Sequence, residues 1–136
     1  MTSPPGTSTK MDQTLYKLTF TTPPAHTTSI LAALHATTAG TWPNPPSACP
    51  STSPPTPPKY THTAFITRGT GQFRPSAHAT PHIGTPGAVE FVDEDRVEMV
   101  VVGRDVLRHA VKALRDAHPY EVVAFFVVRC LGEDEF

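Results

Sequence analysis

Residues 68–75 read RGTGQFRP, two glycines, two arginines and an aromatic within eight positions. Gly69 and Gly71 free the backbone to turn its N–H groups into a concavity that attracts an anion. Arg68 and Arg74 carry the planar donor fork that clamps a phosphate or carboxylate in two places. A second reading is a tight turn in which both glycines supply positive φ, Phe73 packs inward and Arg74 pairs with Glu98 or Glu121. Nothing here continues as Gly-Lys-Ser/Thr, and the spacing is not a dinucleotide fingerprint.

The run DAHPYE, residues 116–121, is the second candidate. His118 and Glu121 are residue types that serve as a general base or metal ligand, and Tyr120 can bury its ring while its hydroxyl finds a partner. The competing role is structural, fixing the entry into the last strand. His78 and His82 form a third group, with Glu90 as a further possible ligand for a surface metal. Pro81 lies between the two histidines and makes a loop of that stretch. No serine, threonine or cysteine stands beside an evident base. Cys130 lies in or next to an apolar strand, where a buried thiol is inert.

The elements that must position these groups follow from periodicity. Residues 14–22 alternate as a half-buried strand, with Tyr16, Leu18 and Phe20 on one face. Pro24 opens a helix that runs to about Thr38 on Ile30, Leu31, Ala33 and Leu34, with Gly40 as its C-terminal cap. Residues 60–68 read as a second strand. Residues 87–103 read as a short strand, a turn at Asp93–Asp95 and a strong strand from Arg96 to Val102. An amphipathic helix follows over 104–117, with Asp105 in its first turn and Pro119 ending it. Residues 121–131 are apolar on both faces and read as a central closing strand. This order is βαββαβ, an α+β ferredoxin-like fold with an antiparallel sheet and both helices on one face.

The 136 residues suit one domain, spanning 13–132 after a flexible tail at 1–12. Eight of the 16 prolines fall between Pro43 and Pro58, a segment with too few large apolar residues to offset its ordering entropy. It reads as a disordered insertion, with a ligand for proline-binding domains as the sharper alternative. A formal net charge of −1 argues against nucleic acid as a partner. No apolar run is long enough to span a bilayer, and residues 1–10 lack the apolar stretch of a secretory signal. A soluble, cytoplasmic protein is expected. Cys49 and Cys130 form neither a disulfide framework nor a zinc spacing.

Four runs in order, RGTGQFRP (68–75), HATPHIGTPGAVE (78–90), RVEMVV (96–101) and DAHPYEVVAF (116–125), resemble the CutA/PII-like domain of the Nif-three-like (YqfO) family. The resemblance covers about residues 14–130. Where the family shows Gly-Asn-Tyr after its first helix, this chain keeps Tyr60 and places the proline-rich insertion between Gly40 and that tyrosine. Family members usually have Asn where Thr80 stands and often Phe where His82 stands, so the likeness does not make His82 a family ligand. In the full-length family this domain accompanies a larger dinuclear-metal domain whose ligands have no counterpart here, and that centre is not carried over.

The resemblance implies a homotrimer, as in CutA and PII proteins. The expected function is a non-catalytic trimeric module binding a small anionic ligand or a divalent metal in inter-subunit clefts. Arg68, Gly69, Gly71, Phe73, Arg74, His118, Tyr120 and Glu121 would line the ligand site, and His78, His82 and Glu90 would offer a metal site. The alternatives are a structural assembly or interaction module and, less specifically, a metal-dependent phosphoester hydrolase.

Overall fold

The computed structural model describes residues 11–46 and 56–136. Strand β1 (Leu15–Thr22) leads through a 3-10 turn at Pro24–His26 into helix α1 (Thr27–His35). Strand β2 (Phe65–Phe73), strand β3 (Glu90–Val102), helix α2 (Arg104–Ala117) and strand β4 (Phe125–Cys130) follow. The four strands form one sheet in the order β2-β3-β1-β4, with every neighbouring pair antiparallel. This is the ferredoxin-like βαββαβ fold expected from the sequence.

Alternation decides which face of the sheet the helices cover. Tyr16, Leu18 and Phe20 of β1 and Val97, Met99 and Val101 of β3 are buried against Ile30 and Leu34 of α1 and Ala110 and Leu114 of α2. In an antiparallel pair, residues in register share a face. Lys17 is in register with Val100 and Val128, and Thr19 with Glu98 and Phe126, so these side chains lie on the opposite, open face. Helix α2 fills its expected limits. Its N-terminus is held from far away, because Asp12 Oδ2 accepts the backbone N–H of Arg104 at 2.8 Å. The Thr14 hydroxyl first, and then the Arg104 and Thr14 N–H groups, hold the Asp12 carboxyl down at about 2. Asp12 therefore has a fixed role, although the sequence reads it as the end of a flexible tail. The rest of that tail, residues 1–10, lies outside the described residues.

Four expectations about the elements change. Strand β2 begins at Phe65 rather than near Tyr60 and extends through the whole of RGTGQF. No turn forms at Asp93–Asp95, since β3 is one continuous strand of 13 residues. Gly69, Thr70 and Gly71 pair with Glu94, Asp93 and Val92, which keeps both stretches extended. Helix α1 ends at His35, and Thr38, not Gly40, takes the first left-handed conformation beyond it. Gly40 has φ +83°, and a Cβ there would lie 2.7 Å from the Thr63 carbonyl. Finally, among the described residues β4 is an edge strand that pairs with β1 alone, and most of it is exposed.

The base of the proline-rich insertion is closed. Trp42 and Tyr60 form an antiparallel bridge, and the Asn44 side chain donates to the Pro57 carbonyl at 3.0 Å and accepts the Lys59 N–H at 3.1 Å. The centre of the insertion, residues 47–55, lies outside the described residues.

Candidate functional site

A cleft of about 520 Å3 opens where the end of β2, the 74–89 loop and the segment after α2 converge. It is lined by Gly71, Phe73, Arg74, Tyr120 and Glu121 of the sequence candidates, together with His82 and with Glu94 of β3. Four separate stretches of chain thus supply one concavity. Strand pairing places Phe73 at the end of β2 opposite Glu90, and the loop carries His82 toward the rings of Tyr120 and His26.

Tyr120 sits at the centre of this arrangement. Its ring lies 6.3 Å from Phe73 and 6.1 Å from His82, centre to centre, with the planes tilted by about 50° in each case. Its hydroxyl donates to Glu94 Oε2 at 3.2 Å. Burial first, and then the neighbouring Glu94 charge, pushes the phenol up to about 12. The Glu94 side chain reaches Tyr120 by crossing Gly71. A Cβ at position 71 would overlap Glu94 Oε1 and stand 2.8 Å from its Cδ. Gly71 is therefore required for close approach, and neither it nor Gly69 has a positive φ. As their N–H groups belong to an extended strand, the expected anion nest does not form, and neither does the alternative tight turn.

The two arginines of RGTGQFRP also part company. Arg68 Nε donates to Asp95 Oδ1 at 2.7 Å, and Thr27 Oγ1 donates to Asp95 Oδ2 at 2.7 Å. Asp95 is 6% exposed, so this carboxylate ties β2, β3 and the start of α1 together. Arg74 lines the cleft, and the expected Arg68–Arg74 clamp is absent because Arg68 is taken by Asp95 and the extended strand β2 holds the two side chains far apart. Arg74 also makes no ion pair with Glu98, which is bonded to Lys17. The Arg68 hydrogen bond and then that from Thr27 hold the Asp95 carboxyl below its ordinary value. This coupling gives stability that is present above the ordinary carboxylate pKa and is lost as pH falls through the lowered one. In Asp95→Asn, the acid limb of a melting-temperature profile is expected to flatten below about pH 4, with a lower plateau at neutral pH.

His118 is buried and has both ring nitrogens engaged. Nε2 donates to the Thr21 carbonyl at 2.7 Å, and Nδ1 accepts the Tyr120 N–H at 3.1 Å. An acceptor at Nδ1 and a donor at Nε2 define the neutral ring, and burial is the main reason its pKa lies below the ordinary histidine value. His118 is thus a pin that shapes the cleft from behind, with no lone pair left for a metal or a substrate proton. Glu121 Oε1 accepts the Thr80 N–H at 3.0 Å and fastens the 74–89 loop to the segment after α2.

The proposed metal trio does not assemble. His82 faces His26 and Tyr120, Glu90 folds over Gly84, and His78 is exposed with its N–H on the Ser76 hydroxyl. Pro81 and the positive-φ glycines at 84 and 87 turn the loop between these side chains. Among the described residues, no three His, Cys, Asp or Glu side chains form a group that could hold a metal ion. Glu94 is the cleft residue that sequence reasoning missed. Its signal was a long carboxylate in register with Gly-x-Gly on the neighbouring strand.

The fold is that of a CutA/PII-like domain. The Ehrlichia chaffeensis divalent ion tolerance protein CutA1 superposes with a TM-score of 0.57 over 88% of this chain and 84% of its own, at 14% identity. A Bacillus cereus protein related to NIF3 superposes with a TM-score of 0.65 over 89% of this chain and 27% of its own, at 26% identity. Two relatives are called GTP cyclohydrolase 1 type 2 homolog. That from Halalkalibacterium halodurans is 32% identical over 123 residues, 90% of this chain and 29% of its own length. That from Mycobacterium leprae is 49% identical over 67 residues, 48% of this chain and 17% of its own length. The chain matches the CutA/PII-like domain of Nif-three-like (YqfO) proteins. It spans less than a third of these curated relatives. No family model matches the chain. No described helix is long and apolar enough to cross a membrane.

Proposed function

We propose that this domain is a non-catalytic, self-associating binding module that holds a small ligand in the cleft around Tyr120. The observation that carries this reading is the convergence on one 520 Å3 concavity of Gly71, Phe73, Arg74, Glu94, Tyr120 and Glu121. A cavity of that volume with mixed aromatic and charged walls is of the size and make-up used for small molecules. Tyr120 and Glu94 are already fixed by their mutual bond, so little ordering cost remains on binding.

Self-association rests on the open face of the sheet. Phe65 is 67% exposed, Phe126 71% and Val128 55%, although all three lie within strands. A second, largely apolar hollow of about 440 Å3 lies beside them, lined by Leu15, Trp42, Phe65, Val100 and Cys130. Apolar side chains in that number on one sheet face favour a covering layer. The free edges of β2 and β4, on opposite sides of the sheet, suit a head-to-tail ring such as a trimer. The trimer would bring further residues to the rim of the cleft.

A purely structural assembly module is the second reading. It is favoured by Arg68 and His118, whose hydrogen bonds to Asp95 and to the Thr21 carbonyl tie elements of the fold together. Light scattering combined with a thermal-shift panel of nucleotides, phosphates, divalent metals, amino acids and amines separates the two. A ligand at ~100 times its dissociation constant stabilises by about 2.7 kcal/mol, several degrees in a domain of this size. Gly71→Val is the matching control. Valine suits an extended strand, yet its side chain would displace Glu94 and fill the floor of the cleft. The variant is expected to melt within a few degrees of wild type and to lose any ligand-induced shift. A flat panel on well-folded wild type would leave the structural module.

A further inference from the structure

The charges and surfaces of the cleft define the kind of ligand it suits, an inference that rests on the cleft being the binding site. Two carboxylates, Glu94 and Glu121, line it against one guanidinium, Arg74. Each carboxylate is met by a single neutral donor, the Tyr120 hydroxyl on Glu94 Oε2 and the Thr80 N–H on Glu121 Oε1. The ion pairs among the described residues involve Lys17, Arg68, Arg96, Arg108, Lys112 and Arg129, and none reaches Glu94 or Glu121. Among the described residues, each therefore keeps one oxygen without a partner. The other cation of the motif, Arg68, is committed to Asp95.

The walls point the same way. The rings of Phe73 and His82 lie 6.3 Å and 6.1 Å from that of Tyr120, each tilted by about 50° to it. Ring faces attract a cation within about 6 Å and repel an anion. Ile83, Val122 and Ala124 add apolar surface suited to methylene groups. A hydrated metal ion gains nothing from such walls, whereas an alkylammonium or alkylguanidinium uses both its charge and its stem. We infer that the cleft takes a small organic cation, a primary ammonium or guanidinium on a short apolar stem. Glu94 and Glu121 would accept its N–H groups among the rings of Phe73, His82 and Tyr120.

This class inverts the expected role of Arg74. In an anion site Arg74 supplies the binding charge. In a cation site it opposes binding. Titration of the full chain with agmatine, sodium phosphate and magnesium chloride, read by calorimetry and by the backbone amide spectrum, decides between them. Agmatine is expected to bind and to shift the amides of residues 71–74 and 120–122. Glu94→Gln and Glu121→Gln should each weaken it by about tenfold or more. Arg74→Ala should make agmatine binding tighter, and each variant should melt near wild type because these side chains are exposed or half-buried. Binding of phosphate that is lost in Arg74→Ala would overturn the cation class and keep the cleft as a site. Binding of magnesium without agmatine would do the same. If agmatine fails while another compound of the wider panel shifts the cleft amides, only the class falls. If no compound shifts them, the class falls together with the binding reading.

Discussion

Replacing His118 with Ala is expected to destabilise the domain by about 2–4 kcal/mol, on the order of 10 °C in melting temperature. The substitution removes two hydrogen bonds at once. It leaves the Thr21 carbonyl of β1 and the Tyr120 N–H without their ring partners, and it empties a buried volume beside the cleft. Unsatisfied buried polar groups cost about 1–3 kcal/mol each, and the cavity adds to this. The neutral ring also makes stability depend on pH. Its pKa is lower in the folded chain than in the unfolded one, so the unfolded state binds the proton first. The stabilisation is complete above about pH 6.5 and is lost as pH falls from there through the lowered folded value. Melting temperatures of wild type between pH 7.5 and 5 should decline, and the decline should be absent in His118→Ala. A His118→Ala melt close to wild type would show that the pin does not hold this region.

Phe126→Asp is expected to dissociate the assembly completely while preserving the fold. Phe126 lies on the open face of edge strand β4, in register with Thr19, and its ring takes no part in the single-chain core. A charge there does not disturb the packing of Leu18, Phe20 and Leu114. Within an oligomer it would have to be buried without a partner, a cost of several kcal/mol repeated at every interface. Light scattering should give three times the chain mass for wild type and the single chain mass for the variant, with unchanged far-ultraviolet circular dichroism. A wild type at the single chain mass would remove the assembly part of the proposal.

Much of this architecture was legible in the sequence because its signals are local. Helix α2 shows a full apolar stripe and ends before Pro119, and it forms over the limits that periodicity gives. Strand β1 alternates cleanly, and Tyr16, Leu18 and Phe20 are the residues it buries. Where tertiary pairing decides, local signals failed. Gly-Thr-Gly in β2 and Asp93–Asp95 in β3 have turn-forming compositions, but each stretch is the other's partner in the sheet and both stay extended. Asp95 tolerates a strand position because Arg68 and Thr27 satisfy its carboxylate. The apolar outer face of β4 suggested a central strand. In a single chain that strand is an edge, and the pattern describes a surface that the fold itself leaves uncovered.

The candidate site divides in the same way. Phe73, Arg74, Tyr120 and Glu121 were picked for their chemistry, and the structure brings them into one cleft. Arg68 and His118 carry the same kind of chemistry but act as ties, since the β2–β3 register sets Arg68 beside Asp95 and the short connection after α2 buries His118. Glu94 had no local mark. Its role follows from a register that pairs β3 with β2 and from the gap that Gly71 leaves for its side chain.

The most direct test of the cleft is amide chemical-shift mapping on the folded protein during titration with the small-molecule panel. The expected result is a saturable set of shifts confined to residues 71–75, 79–83, 94 and 120–124. A ligand that binds and shifts the open sheet face instead, or a panel that leaves these amides unmoved, would contradict it.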